Sequence, residues 1–160
     1  MKNLDDLFLH MVKDMYYAER QILKALPKMA RAANAPELKA AFEQHRQETE
    51  GQVERLQKVF EILGKPARGV KCEAIEGLVE EASEVMEEAE DPRVLDAGLL
   101  AAAQAVEHYE IARYGTLRTW ATDLGLGEAA NLIQETLDEE TACDKLLSKL
   151  ATSNVNRKAA

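Results

Sequence analysis

The sequence predicts an all-α chain built on four long helices and one short one. Three observations lead there. Ala, Leu, Glu, Lys, Gln and Arg dominate the composition, and no stretch of β-branched residues alternates with polar ones as a strand would. Turn-forming residues gather at four places: Asn34-Ala35-Pro36, Gly64-Lys65-Pro66 through Gly69, Asp91-Pro92, and Leu124-Gly125-Leu126-Gly127. A length of 160 residues suits one domain with a sizeable core.

The first helix is expected from Leu4 to Ala33. Pro27 lies inside it, removes one hydrogen bond and crowds the carbonyl of Leu23, so a kink or short break is expected there. The second helix runs from Pro36 to Leu63, stopped by Gly64. The third, Glu73 to Glu90, is short and strongly acidic, with Ile75, Leu78, Val79, Ala82, Val85 and Met86 as its inward face. The fourth starts at Pro92 behind the N-cap Asp91 and runs to Asp123. The fifth covers Gly127 to Ala151. Each long helix spans roughly 35–45 Å. A single bundle domain over residues 1–152 is followed by a loosely held tail, 153–160, with little to bury.

Short links join the first helix to the second and the fourth to the fifth, so each pair folds back as an antiparallel hairpin. The connection between the hairpins is long and contains the third helix. Two hairpins joined by a long crossover are the layout of a ferritin-like four-helix bundle, here with an additional short helix in the crossover.

The 20 Lys and Arg against 29 Asp and Glu give a net charge of -9, which disfavours nucleic acid or an anionic membrane surface as partner. No apolar run approaches the ~20 residues of a bilayer span. Cys72 and Cys143 are far apart in sequence and are expected as reduced thiols of a cytoplasmic protein.

Function is written in the apolar stripes. On the first helix Glu19 interrupts Phe8, Val12, Met15, Ile22, Leu23 and Leu26. On the fourth, Glu107 sits amid Leu100, Ala103, Ile111 and Tyr114, with Glu110 one turn along. The second helix breaks its stripe with His45, Thr49 and Gln52 and carries Glu48 at the edge. The fifth places Glu140 in its stripe, flanked by Glu139 and Asp144. Ionised carboxylates in an apolar interior cost several kcal/mol each without compensation, and Lys and Arg are scarce on these faces. A pair of divalent ions held by Glu19, His45, Glu48, Glu107, Glu110 and Glu140 is the compact solution. His45 alone is equally well a hydrogen-bonded core histidine. His10 and His108 point away from the stripes. Tyr16 and Tyr114 are placed for aromatic packing, with hydrogen bonding to a ligand second, and Cys143 reads as a small core residue.

The segments Lys71-Cys72-Glu73-Ala74-Ile75-Glu76-Gly77-Leu78, Gln104-Ala105-Val106-Glu107-His108-Tyr109-Glu110, Tyr114-Gly115-Thr116-Leu117 and Glu135-Thr136-Leu137-Asp138-Glu139-Glu140 resemble the YciF-like bacterial stress-response family. That family is ferritin-like, with rubrerythrin-like architecture and a domain of unknown function. The resemblance covers Leu4 to Asn156. It implies a dimetal carboxylate centre, a homodimer and a link to general or osmotic stress. By position Glu19 matches the first-helix carboxylate of ferritin-like sites, Glu107 and Glu110 the paired carboxylates of rubrerythrin-like ones, and Glu140 a bridging carboxylate. Two departures stand out: the second helix has His45-x-x-Glu48 in place of Glu-x-x-His, and Cys143 follows Glu140 where a His is usual. An oxygen-rich site of this kind suits two iron ions, or manganese, rather than copper. Three functions follow: a redox protein taking peroxide or dioxygen at metals bridged by Glu48 and Glu140, a non-catalytic stress protein whose metal braces the bundle, or an iron store.

Overall fold

The computed structural model describes residues 1–160. It is entirely helical, with no strand. The order is α1 (Leu4–Ala32), α2 (Pro36–Ile62), α3 (Glu73–Glu88), α4 (Pro92–Asp123), α5 (Gly127–Leu150), a π-helical turn (Ala151–Val155) and α6 (Asn156–Ala159).

Local chemistry sets the ends. Asn3 accepts the backbone N–H of Asp6 at 2.9 Å, and Asp91 accepts that of Arg93 at 2.7 Å, each satisfying a donor left free by the first turn of a helix. Gly64 and Gly125 follow α2 and α4 with φ of 62° and 73°, the left-handed conformation in which glycine stops a helix without strain.

Of the kink or short break expected at Pro27, the break does not occur: α1 runs on through it, since Leu26, Met29 and Ala30 are buried on either side and packing holds the helix together across one missing hydrogen bond. In the segment expected as a tail, 153–160, the chain continues as the end of the π-helical turn and as α6, and Val155 is 3% exposed. The last segment packs on α4, which gives that single valine an apolar seat.

α1 packs chiefly along α2 and α4 along α5, while α2 meets α5 and α1 meets α4. One core runs among them, with Phe8, Met15, Leu38, Phe42, Leu56, Leu99, Leu117 and Ile133 at 2% exposure or less. α3 lies against α4 and α1 through Ile75 and Ala82. Gly98 permits this approach, because a Cβ there would stand 2.5 Å from Cγ1 of Val85. The α1–α2 link is pinned to α4 by Asp96, whose carboxylate accepts the N–H groups of Asn34 at 2.6 Å and Ala35 at 2.8 Å.

Candidate metal centre

Each long helix delivers acidic or imidazole side chains to one level of the core. Glu19 from α1, Glu107 and Glu110 from α4 and Glu140 from α5 are 0% exposed, and His45 from α2 is 2% exposed. His45, Thr49 and Gln52 stand at i, i+4 and i+7 and share one face of α2. Thr49 turns its hydroxyl back to the carbonyl of His45 at 2.7 Å, leaving the imidazole free to point inward.

His45 is the hub. Its Nδ1 lies 2.9 Å from Oε1 of Glu107, and its Nε2 lies 3.9 Å from both Oε2 of Glu110 and Oε2 of Glu140. None of these approaches is aligned as a hydrogen bond. Ligand-capable atoms of His45, Glu107, Glu110 and Glu140 all fall within 4.8 Å of one another, and His45, Glu107 and Cys143 form a second, overlapping group. Glu19 lies against Glu110 beside the first group.

Each carboxylate is oriented by a partner. The Tyr114 hydroxyl donates to Glu19, the Cys143 thiol donates to Glu107 at 3.2 Å, and the Gln52 amide donates to Glu140. Gln52 also reaches Oε2 of Glu139 at 3.1 Å, and Arg55 holds that same oxygen at 2.9 Å while bonding Thr136 at 3.1 Å. A polar chain thus links α2 to α5 behind Glu140.

Burial dominates the acid chemistry. It pushes Glu19 up to about 8, helped by the charge of Glu140 and opposed by the Tyr114 hydrogen bond. It pushes Glu107 up to about 7 against the hydrogen bonds of Glu140 and Cys143. Glu110 and Glu140 are raised well above the usual carboxylate range, by burial first and then by neighbouring acids. Burial likewise raises the Tyr114 hydroxyl and the Cys143 thiol, so both remain protonated donors.

Of the six residues expected in the site, the structure brings Glu19, His45, Glu107, Glu110 and Glu140 together. Glu48 stays out. It is half-buried at the rim of α2 and accepts a hydrogen bond from Gln44 at 2.8 Å. One residue short of Thr49, it is turned about 60° off the His45 face at 100° per residue, and Gln52 fills the place given to it. His108 is 69% exposed in its side chain and pairs with Asp144 at 3.0 Å. Sequence reasoning missed the orienting roles of Gln52, Arg55 and Glu139. The signal for Gln52 was its position two helical turns from His45 at the centre of a buried face.

The family described as domain of unknown function (DUF892) matches residues 3–160. The chain belongs to the DUF892 family. Within it, protein YciF of Escherichia coli (strain K12) is 51% identical over 160 residues, covering 99% of this chain and 96% of the relative. The crystal structure of that E. coli stress protein matches with a TM-score of 0.93 at 51% identity, over 98% of this chain and 99% of the other. YcfI of Rhodopseudomonas palustris, a candidate structural protein, matches with a TM-score of 0.90 at 48% identity, over 92% of this chain and 94% of its own. A Xanthomonas campestris protein at 23% identity and a TM-score of 0.74, over 99% of this chain and 100% of the other, shares the DUF892 chain's fold.

Proposed function

We propose that this chain is a ferritin-like dimetal carboxylate protein of the bacterial stress response, holding two iron ions, with manganese as the alternative, and handling peroxide or dioxygen. In this reading α1 with α2 and α4 with α5 are the two antiparallel hairpins of a ferritin-like bundle, and α3 belongs to the crossover. The working form is a cytoplasmic homodimer. No helix is long and apolar enough to cross a membrane.

One observation carries the reading. With the carboxylates ionised, the eight buried side-chain nitrogen and oxygen atoms that have no hydrogen-bond partner all belong to Glu19, His45, Gln52, Glu107, Glu110 and Glu140. Buried polar groups are ordinarily paired, and a half-satisfied network of acids without a cation is costly. The donor set of four carboxylates and one imidazole is hard and oxygen-rich, which fits iron or manganese.

His45, Glu107, Glu110 and Glu140 would hold one ion, and Glu19 together with Glu110 and Glu140 the other. A bound pair of such ions supplies electron exchange with a small oxidant. The protein's part is positional: Gln52 fixes Glu140, Tyr114 fixes Glu19 and the Cys143 thiol fixes Glu107, each by a donated hydrogen bond. The surrounding core excludes water.

Elemental analysis of the purified protein, with anomalous scattering from its crystals, tests the reading. Iron or manganese at about two ions per chain is expected, and a metal-free protein with a water-filled cluster overturns it. Bracing of the bundle by metal without catalysis is the second reading, favoured by the polar chain Arg55–Glu139–Gln52–Glu140, which makes the site part of the α2–α5 packing. Peroxide and dioxygen turnover by metal-loaded protein separates the two, and sedimentation separates a dimer from a storage cage.

A further inference from the structure

A cavity of about 20 Å³ lies among α1, α3 and α4 and ends on His45. Ten of its eleven lining residues are hydrophobic, among them Leu26 and Met29 of α1, Leu78, Val79 and Ala82 of α3, and Ala103 of α4. The eleventh is His45, 2% exposed, with both ring nitrogens free of hydrogen bonds.

We propose that this cavity is a docking pocket for dioxygen beside the carboxylate cluster and that α3 is its outer wall. The proposal deepens the function proposed above by choosing between the two oxidants, and rests on it for any chemistry that follows binding. Size is the first argument. A volume near 20 Å³ admits one molecule on the scale of water or a diatomic gas and no organic substrate. Polarity is the second. Hydrogen peroxide carries two donors and several lone pairs, and a wall offering a single imidazole would leave most of them unpaired, whereas dioxygen has none to lose. Position is the third, because the ring that closes the pocket stands 2.9 Å from Glu107. A molecule in the pocket is therefore one imidazole away from the cluster.

The outer wall depends on a helix that lies outside the four long ones. Leu78, Val79 and Ala82 cover the cavity because α3 can settle on α4 at Gly98, where no side chain separates it from Val85.

Dioxygen is paramagnetic and reports its own position. In metal-free protein under raised oxygen pressure, relaxation of the methyl groups of Leu26, Leu78, Val79 and Val106 should be enhanced several-fold more than that of Leu38, Leu99 and Leu117, which lie in the solid core. Ala82→Leu, which fills the pocket from the α3 side, should abolish the difference, and Leu78→Ala should increase it. Millimolar peroxide should leave the chemical shifts of the same methyls unchanged. Equal enhancement of pocket and core methyls in the wild-type protein overturns the proposal, as do peroxide-induced shifts confined to the pocket. Metal plays no part in the measurement, so a protein that enriches oxygen here but binds no metal sinks only the function proposed above. A metal-loaded protein without enrichment sinks only the pocket.

Discussion

Lowering the pH from 8 to 6 should stabilise the metal-free protein, the opposite of what most acidic proteins do on losing ion pairs. Glu19 and Glu107 titrate at about 8 and about 7 in the fold, above the ordinary 4.5. Between the two values the folded state holds more protons than the unfolded chain, so stability rises as pH falls through 8 and 7 and is complete only below 4.5. One extra proton held across one pH unit changes stability by about 1.4 kcal/mol. Taken independently, the two groups contribute roughly 3–4 kcal/mol over this range. They titrate as one coupled cluster, which lowers the expectation to about 2 kcal/mol or more. In a chain of this size about 2 kcal/mol raises the melting temperature by roughly 4–8 °C. Calorimetric melts of chelator-treated protein at intervals between pH 8 and 6 give the slope directly. His108 pairs with Asp144 on the surface, away from the buried acids, so the slope should survive His108→Gln and diminish in Glu19→Gln and Glu107→Gln. A flat or rising dependence on pH, or a slope unaffected by both glutamine variants, would refute the buried-cluster reasoning. With metal bound the sign should reverse, since protons then compete for the ligands.

Glu140→Ala should lose most of the bound metal and His108→Ala almost none, by elemental analysis of the two purified proteins. Tyr114→Phe removes the hydroxyl that donates to Glu19 and should cost metal-free protein about 1–3 kcal/mol in urea unfolding. Gly98→Ala should destabilise by about 1–3 kcal/mol through the contact with Val85, and adding Val85→Ala should restore most of the loss. Asp96→Ala leaves the N–H groups of Asn34 and Ala35 without their acceptor, and hydrogen exchange at those two amides should accelerate more than at the centre of α1.

How far the sequence could be read depended on whether the deciding force was local. Helix ends at Gly64 and Asp91 were legible because a left-handed glycine and a side-chain cap act within a few residues. Glu19, Glu107, Glu110 and Glu140 were legible because a carboxylate in an apolar stripe conflicts with its surroundings on a single helix, before any partner is known. Glu48 was legible only as an edge residue: about 60° off the stripe, it turns in or out according to how α2 rotates against α5, and one helical wheel carries no such information. The same limit hid Arg55 and Gln52, whose partners lie more than 80 positions away on α5. Val155 looked like the end of a loose tail because its seat on α4 is tertiary.

Both thiols of the chain are buried and unoxidised, Cys72 at 1% exposure and Cys143 at 7%. Burial holds each in its protonated form, and alkylating reagents attack the thiolate. Cys72 sits at the start of α3 with its sulfur 3.0 Å from the Tyr109 hydroxyl, which in turn donates to Asp14 of α1 at 3.0 Å. Its labelling must wait until α3 lifts from α1 and α4. Labelling of Cys143 must wait until α4 and α5 part. The molecule therefore carries two clocks of its own, one set by the release of α3 and the other by the opening of the bundle, and the ratio of their rates tells whether α3 detaches alone or with the whole fold.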